Sequence, residues 1–106
     1  MGEIVLLVRE VFHCKPGKVR SLVEKFTAMS KINEKAGFGK MRIMTDFCGE
    51  RYWTLVSEYE VASMQAYEAM MNMSPDDATM KEFESIMKGY HDLIHDGHRE
   101  IYKIEA

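Results

Sequence analysis

Apolar positions alternate or recur along the first third of the chain in two distinct patterns. The segment from Glu3 to His13 is rich in β-branched and apolar residues and then alternates, which predicts a strand. Apolar residues at three- and four-residue spacing follow to about Ala36 and predict a helix. Pro16 suits its first turn and Gly37 its end. The apolar stripe of this helix comprises Val19, Leu22, Val23, Phe26 and Met29.

The middle of the chain predicts an antiparallel hairpin. The segment from Lys40 to Phe47 alternates between apolar and polar residues, and Arg51 to Tyr59 is rich in aromatic and β-branched residues. Gly49 and Glu50 lie between them and form a turn of hairpin length.

The last part of the chain predicts a second helical region and a final strand. The helical pattern starts at Ser63 as N-cap, breaks, and restarts at a second N-cap, Ser74. The spacing then predicts a helix to about Asp96, ended by Gly97. The segment from His98 to Glu105 predicts the last strand.

The element order β-α-β-β-α-β predicts a single α+β domain over residues 1–106. This is the ferredoxin-like arrangement, in which helices cover one face of a four-stranded antiparallel sheet. The run Ile4 to Val8 is apolar on both sides, and the third strand also carries apolar residues on both faces. Since one chain supplies helices for only one face, we expect a second copy to cover the other, as a homodimer.

Several segments resemble the dimeric α+β barrel superfamily: KPGK after the first strand, RYWTLVSEYE, and a long helix leading into HREIYKI. Within it the chain is most similar to the NIPSNAP-like and antibiotic-biosynthesis-monooxygenase-like proteins. The resemblance implies a homodimer whose two sheets close an eight-stranded barrel, and a ligand pocket between sheet and helices. Its monooxygenases use an asparagine on a strand together with a tryptophan and either a histidine or a second tryptophan. Here Trp53 is the only tryptophan and the asparagines are Asn33 and Asn72, so no catalytic residue is carried over.

Composition narrows the function classes. The 106 residues are 46% hydrophobic and 29% charged, with a net charge of −3, as in an ordinary globular protein. Because no basic run is present, we expect neither nucleic acid nor a membrane surface as partner. The absence of a signal-peptide pattern predicts a cytoplasmic protein with Cys14 and Cys48 as free thiols. Ten methionines indicate either plain core filler or an adaptable pocket.

Seven polar or aromatic residues are the candidates for lining a ligand pocket. The alternative for the charged ones is ion pairing across a dimer interface, and for the aromatic ones an ordinary core position. The candidates are His13, Arg42, Tyr52, Trp53, Glu58, Tyr67 and Tyr90.

Histidines offer weaker candidates for chemistry. His91 and His95 are four residues apart on the predicted helix, but on its outer side, so we expect a solvated face and no metal. His13 and Cys14 are adjacent, but neighbours on a strand point to opposite faces, which argues against an activated thiol. The superfamily includes haem proteins, and His13, His91, His95 or His98 would be the weak candidates for an axial ligand; we expect no cofactor.

Three functions remain open from the sequence. The first is a NIPSNAP-like homodimer that binds a small, largely apolar or aromatic ligand between sheet and helices. The second is a cofactor-independent monooxygenase or isomerase acting on an aromatic or polyketide-like substrate. The third is a purely structural dimer.

Overall fold

The elements of the protein follow from a computed structural model, which describes residues 5–35, 37, 39–72 and 76–106. In chain order they are β1 (Leu6–Cys14), α1 (Val19–Lys35), β2 (Arg42–Thr45), β3 (Thr54–Val61), α2 (Met64–Met71), α3 (Asp77–Met87), a 3₁₀ turn (Tyr90–Leu93) and β4 (Ile94–Lys103). The strands form one antiparallel sheet in the order β2-β3-β1-β4. The predicted ferredoxin-like fold is confirmed.

The core lies between α1 and one face of the sheet, here called the inner face. Leu22 and Phe26 of α1 meet Leu55 of β3 there, and Leu22 and Leu55 are fully buried. Burial of each such side chain stabilises the fold by about 1.5–3 kcal/mol. The inner face comprises Val8, Glu10, Phe12 and Cys14 of β1, Leu55, Ser57 and Tyr59 of β3, and Arg99 of β4.

The opposite side of the sheet, here called the free face, has a mixed character. Within the described residues no helix packs on it. Leu7, Val11 and Val56 lie on it half-buried, between charged neighbours. The free face comprises Leu7, Arg9, Val11 and His13 of β1, Arg42 and Met44 of β2, Val56 and Glu58 of β3, and Asp96, His98, Glu100 and Tyr102 of β4.

The last helix ends earlier than its apolar stripe predicts. It stops at Met87, and Gly89 adopts the left-handed conformation with a φ of 80°. The stripe continues past this point because Tyr90 and Ile94 also pack against the core, from the 3₁₀ turn and from the start of β4. Gly97 therefore does not end a helix. It lies in β4 opposite Phe12, where a Cβ would approach the phenyl ring to 2.8 Å.

The predicted two-residue turn between the second and third strands is wrong. Residues 46–53 connect β2 to β3, and β3 starts at Thr54. The connection is held by Asp46, whose side chain accepts a hydrogen bond from the Thr54 backbone N–H at 2.8 Å. Trp53 has a φ of 60°, the only positive value among the described non-glycine residues, so this aromatic residue is not part of the strand.

The structure agrees with the predicted start of α2 but not with that of α1. Ser63 caps α2 as expected, accepting a hydrogen bond from the Ala66 backbone N–H at 3.1 Å. The cap of α3 is Asp76, which accepts from Thr79 N–H at 2.7 Å, and the predicted N-cap Ser74 lies outside the described residues. The sequence predicts Pro16 in the first turn of α1, but Pro16 lies in a separate turn before the helix starts. No helix of the described chain has the length and apolar character needed to cross a bilayer.

Candidate functional site: a groove between helices and sheet

An open groove of about 1400 Å³ lies between α1, α3 and the inner face. Its wall is mainly apolar. Its lining includes six methionines and five aromatic residues: Met29, Met41, Met70, Met71, Met80, Met87, Phe12, Phe26, Phe83, Tyr59 and Tyr90. Of the ten methionines in the chain, six therefore line this groove. Methionine adapts its shape to different apolar ligands, which suits this wall to binding.

Local structure holds the two helical walls of the groove together. Phe26, in the apolar stripe of α1, packs against Phe12 of β1. Their ring centres lie 5.2 Å apart in an edge-to-face arrangement. Lys25 of α1 donates from Nζ to the backbone carbonyls of Ile86 and Lys88, at 3.0 and 2.8 Å. These carbonyls end α3, where a positive charge is favourable. The ammonium group thus joins α1 to the end of α3.

A polar group of residues lies on the inner face beside the groove. Glu10 and Tyr59 line the groove itself, and Glu10 pairs with Arg99 at 3.6 Å. The Arg99 guanidinium in turn lies 5.8 Å from the centre of the Tyr67 ring, within cation–π range. Burial, and then the nearby Glu10 carboxylate, raises the pKa of Tyr59 to about 12. Tyr59 is therefore a neutral hydroxyl at physiological pH and can donate a hydrogen bond.

Two buried hydroxyl groups lie near this polar group without a hydrogen-bond partner in the described part of the chain. One is Ser57 Oγ, on the β3 residue that pairs with Glu10 in the strand register. The other is the hydroxyl of Tyr67, which belongs to α2. Buried polar atoms are seldom left unpaired, because an unpaired one costs about 1–3 kcal/mol. The inner face thus contains hydrogen-bonding capacity that the described chain does not use.

A row of alternating charges crosses the free face on the other side of the sheet. In the strand register Arg42 lies opposite Glu58, Glu58 opposite Arg9, and Arg9 opposite Glu100. The outer pair is in contact, with Arg42 Nη1 3.4 Å from Glu58 Oε1. The row contains two positive and two negative side chains, so its net charge is zero.

At the end of this face, His13 meets two charged residues from other elements. Its Nδ1 atom contacts Asp96 Oδ1 at the start of β4, and Arg51 Nη1 lies 3.0 Å from the same nitrogen. The hydrogen bond to His13 is the main cause that lowers the pKa of Asp96. No acidic partner for His13 is evident in the sequence, because Asp96 falls there at the end of a predicted helix.

Cys14, the neighbour of His13, lies on the other face of the sheet. It is buried against α1, and both Cys14 and Cys48 are free thiols. Burial, with a smaller contribution from Asp46, raises the pKa of the Cys14 thiol. A thiol that resists ionisation is a poor nucleophile, so His13 and Cys14 do not form an activated pair.

The structure distributes the seven predicted pocket residues over four places. Only Tyr90 lines the groove. Tyr67 is the buried residue of α2, and the connection 46–53 holds Tyr52 and Trp53, both exposed. The remaining three, His13, Arg42 and Glu58, lie on the free face.

The candidate metal pair does not share a helix. His91 lies in the 3₁₀ turn and His95 in β4, so the four-residue spacing no longer places the two imidazoles on one side. Both side chains are exposed. Among the described residues no group of three or more His, Cys, Asp or Glu side chains is arranged to hold a metal ion.

Comparison with known proteins finds similarity in structure alone. No protein-family model and no curated protein sequence matches the chain. A NIPSNAP family protein from Agrobacterium tumefaciens has a TM-score of 0.73 at 12% identity, over 99% of this chain and 90% of that protein. A candidate antibiotic biosynthesis monooxygenase from Bacillus cereus has a TM-score of 0.67 at 17% identity, over 99% and 96% of the two chains.

A third solved structure with this fold is described as dimeric. A dimeric ferredoxin-like protein of unknown function from Thermobifida fusca has a TM-score of 0.63 at 11% identity, over 98% of this chain and 94% of that one. These identities establish a shared fold and nothing finer. The chain has the ferredoxin-like fold that NIPSNAP family proteins and antibiotic-biosynthesis-monooxygenase-like proteins also adopt.

Proposed function

We propose that the protein is a homodimer that binds a small, largely apolar ligand in the groove between its helices and the inner face. The observation that carries the proposal is the groove itself, with about 1400 Å³ of space behind a methionine- and aromatic-rich wall. Ligand sites of small molecules usually occupy about 300–1,000 Å³ and combine an apolar lining with a few polar groups. The groove has room for such a ligand.

The polar residues beside the groove favour a ligand with one uncharged polar end. Glu10 accepts hydrogen bonds, and the neutral Tyr59 hydroxyl donates them. Arg99 already balances the charge of Glu10, so the groove offers no net charge to a ligand ion at this point. An aromatic or aliphatic compound with a hydroxyl or carbonyl group fits this combination.

The free face supports the second half of the proposal, the dimer. No helix of the described residues covers its half-buried apolar residues, and the Thermobifida fusca neighbour with this fold is dimeric. The row of charges has the sign order plus, minus, plus, minus from β2 to β4. A two-fold axis along the strands reverses this order in the partner. Each positive charge would then face a negative one, which favours pairing of two identical copies.

Groove binding is tested with N-phenyl-1-naphthylamine, an uncharged apolar dye whose fluorescence rises in a dry site. Met80→Asp on α3 adds a charge to the groove wall, and we expect the dissociation constant of the dye to rise about tenfold, or about 1.4 kcal/mol. Met64→Asp is the matched control, because Met64 is similarly exposed (46% against 42%) but does not line the groove. Equal affinities of the two variants, or no binding by the unaltered protein, would reject the groove as a ligand site.

A further inference from the structure

Two polar side chains that line the groove keep hydrogen-bonding capacity for a ligand. They are Glu10 of β1 and Tyr59 of β3. Arg99 Nη2 lies 3.6 Å from Glu10 Oε1, which is the distance of an ion pair rather than of a hydrogen bond. A carboxylate can accept up to about four hydrogen bonds, so Glu10 can still accept one from a bound molecule.

The two buried hydroxyls without a partner in the described part of the chain lie beside these residues. Ser57 is the register partner of Glu10 and precedes Tyr59 on the inner face. The pKa of Tyr59 is raised by burial, by Glu10 and by Tyr67, so these side chains are close to one another. Ser57 and Tyr67 are only 1% and 7% exposed, which removes them from bulk water. The inner face at this place can therefore form more hydrogen bonds than the described chain uses.

A hydroxyl group is the ligand group that matches Glu10 and Tyr59 together. The Glu10 carboxylate only accepts hydrogen bonds, and the neutral Tyr59 hydroxyl can donate one. An alcohol donates and accepts at the same time, so it pairs with both residues. A carbonyl or ether oxygen only accepts. It would displace water from Glu10 without replacing the lost hydrogen bond, which lowers the affinity.

A carboxylic acid is disfavoured at the same place by its charge. Glu10 lines the groove whereas Arg99 does not, so an anion there lies against the carboxylate rather than against the guanidinium. Exposed lysines from α1 and from the segment before β2 line the groove as well, and solvent screens their charges. They are Lys31, Lys35 and Lys40. An acid held by these lysines would not respond to a change at Glu10.

We propose that the groove is specific for an apolar alcohol and that Glu10 is the residue that determines this specificity. Glu10 accepts a hydrogen bond from the alcohol, and Tyr59 donates one to the alcohol oxygen. The apolar part of the ligand packs against the methionines and aromatic rings of the wall. This inference rests on the proposed ligand-binding function of the groove and narrows it to one class of ligand.

Competition against N-phenyl-1-naphthylamine tests the inference with three compounds that share a naphthalene ring. Naphthalene-2-methanol donates and accepts hydrogen bonds, its methyl ether only accepts, and 2-naphthoate is an anion at neutral pH. We expect the alcohol to displace the dye with an inhibition constant about tenfold lower than that of the ether or of the naphthoate. A factor of this size is ordinary for one hydrogen bond to a charged group.

Glu10→Gln preserves the shape of the side chain but removes its charge, and it leaves Arg99 without a counter-charge. We expect the alcohol to bind about threefold more weakly and the naphthoate about tenfold more tightly, so that the preference for the alcohol is lost. Glu68→Gln is the matched control. Glu68 is exposed on α2 and does not line the groove, so this variant should keep the preference.

Tyr59→Phe distinguishes the donor from the acceptor. The alcohol and the ether both accept the Tyr59 hydrogen bond, so this variant should weaken both by the same factor, about fivefold. The preference for the alcohol over the ether should remain, because Glu10 is unchanged. An effect on the alcohol alone would contradict the assignment of Tyr59 as the donor.

The outcomes separate this inference from the proposed function of the groove. Circular dichroism first confirms that each variant is folded. If the dye binds but the three compounds displace it equally, or not at all, the alcohol specificity is overturned while the groove remains a ligand site. A folded Glu10→Gln variant that keeps the preference of the unaltered protein overturns it as well. If the dye itself does not bind, the groove and this inference are rejected together.

Discussion

The two faces of the sheet differ in what their residues do, although one strand supplies both. On the inner side β1 presents Val8, which is fully buried, and Phe12, which packs against the core and lines the groove. On the free side the same strand presents Arg9, Val11 and His13 to charged and half-buried neighbours. The inner face therefore contributes the buried core and the groove. The free face contributes charged and half-buried apolar residues, which we propose a second copy covers.

Truncating one valine on each face gives the largest expected difference in stability. Val8 is fully buried, so Val8→Ala should lower the free energy of unfolding by about 1.5–3 kcal/mol. Val11, three residues on, is half-buried on the free face, and Val11→Ala should cost about 1 kcal/mol or less in urea unfolding at low protein concentration. Equal losses would mean that the two faces are equally covered in the single chain.

High pH should destabilise the inner face through Tyr59. Its folded pKa is about 12 against an ordinary value of 10.0, so the folded state favours the neutral hydroxyl. The resulting stabilisation is fully present below pH 10 and is lost as the pH rises to about 12. Over this window the free energy of unfolding should fall by on the order of 2 kcal/mol more than in Tyr59→Phe.

Tyrosinate absorbance provides an independent check of the Tyr59 prediction. The difference between the titrations of the unaltered protein and Tyr59→Phe should show one group ionising near pH 12. A group that ionises at its ordinary value of 10.0 instead would show that the Tyr59 hydroxyl is well hydrated.

The smallest effect is expected from the outer end of the charge row. Arg42 is 74% exposed at its side chain and pairs with Glu58 at 3.4 Å. Because solvent screens such a pair, Arg42→Ala should lower the free energy of unfolding by less than about 1 kcal/mol. Thermal unfolding of the variant checks this. A larger loss would show that the row acts as a unit across all four strands.

Sequence periodicity was sufficient for the fold but not for the sites. The α1 stripe and the β1 alternation are local signals, and both elements were predicted close to their observed bounds. The predicted last helix is too long because of Tyr90 and Ile94. These residues lie in the 3₁₀ turn and in β4, but they pack on the core at the spacing of a helical stripe.

The functional groups depend on register, which periodicity does not determine. His13 meets Asp96 only because β1 and β4 pair with one particular offset. Arg51 joins them only because residues 46–53 form a long connection instead of a tight turn. The pairing of Glu10 with Arg99 also depends on the register between β1 and β4, so periodicity does not predict it.

Sedimentation velocity at micromolar protein concentration tests most directly that the free face pairs two copies of the chain. The account predicts twice the 12.3 kDa mass of one chain for the unaltered protein and for Met64→Asp, which changes α2 away from the free face. Val11→Asp places a charge on the free face and should sediment as a folded monomer. A monomeric unaltered protein, or a Val11→Asp variant that remains dimeric, would contradict the account.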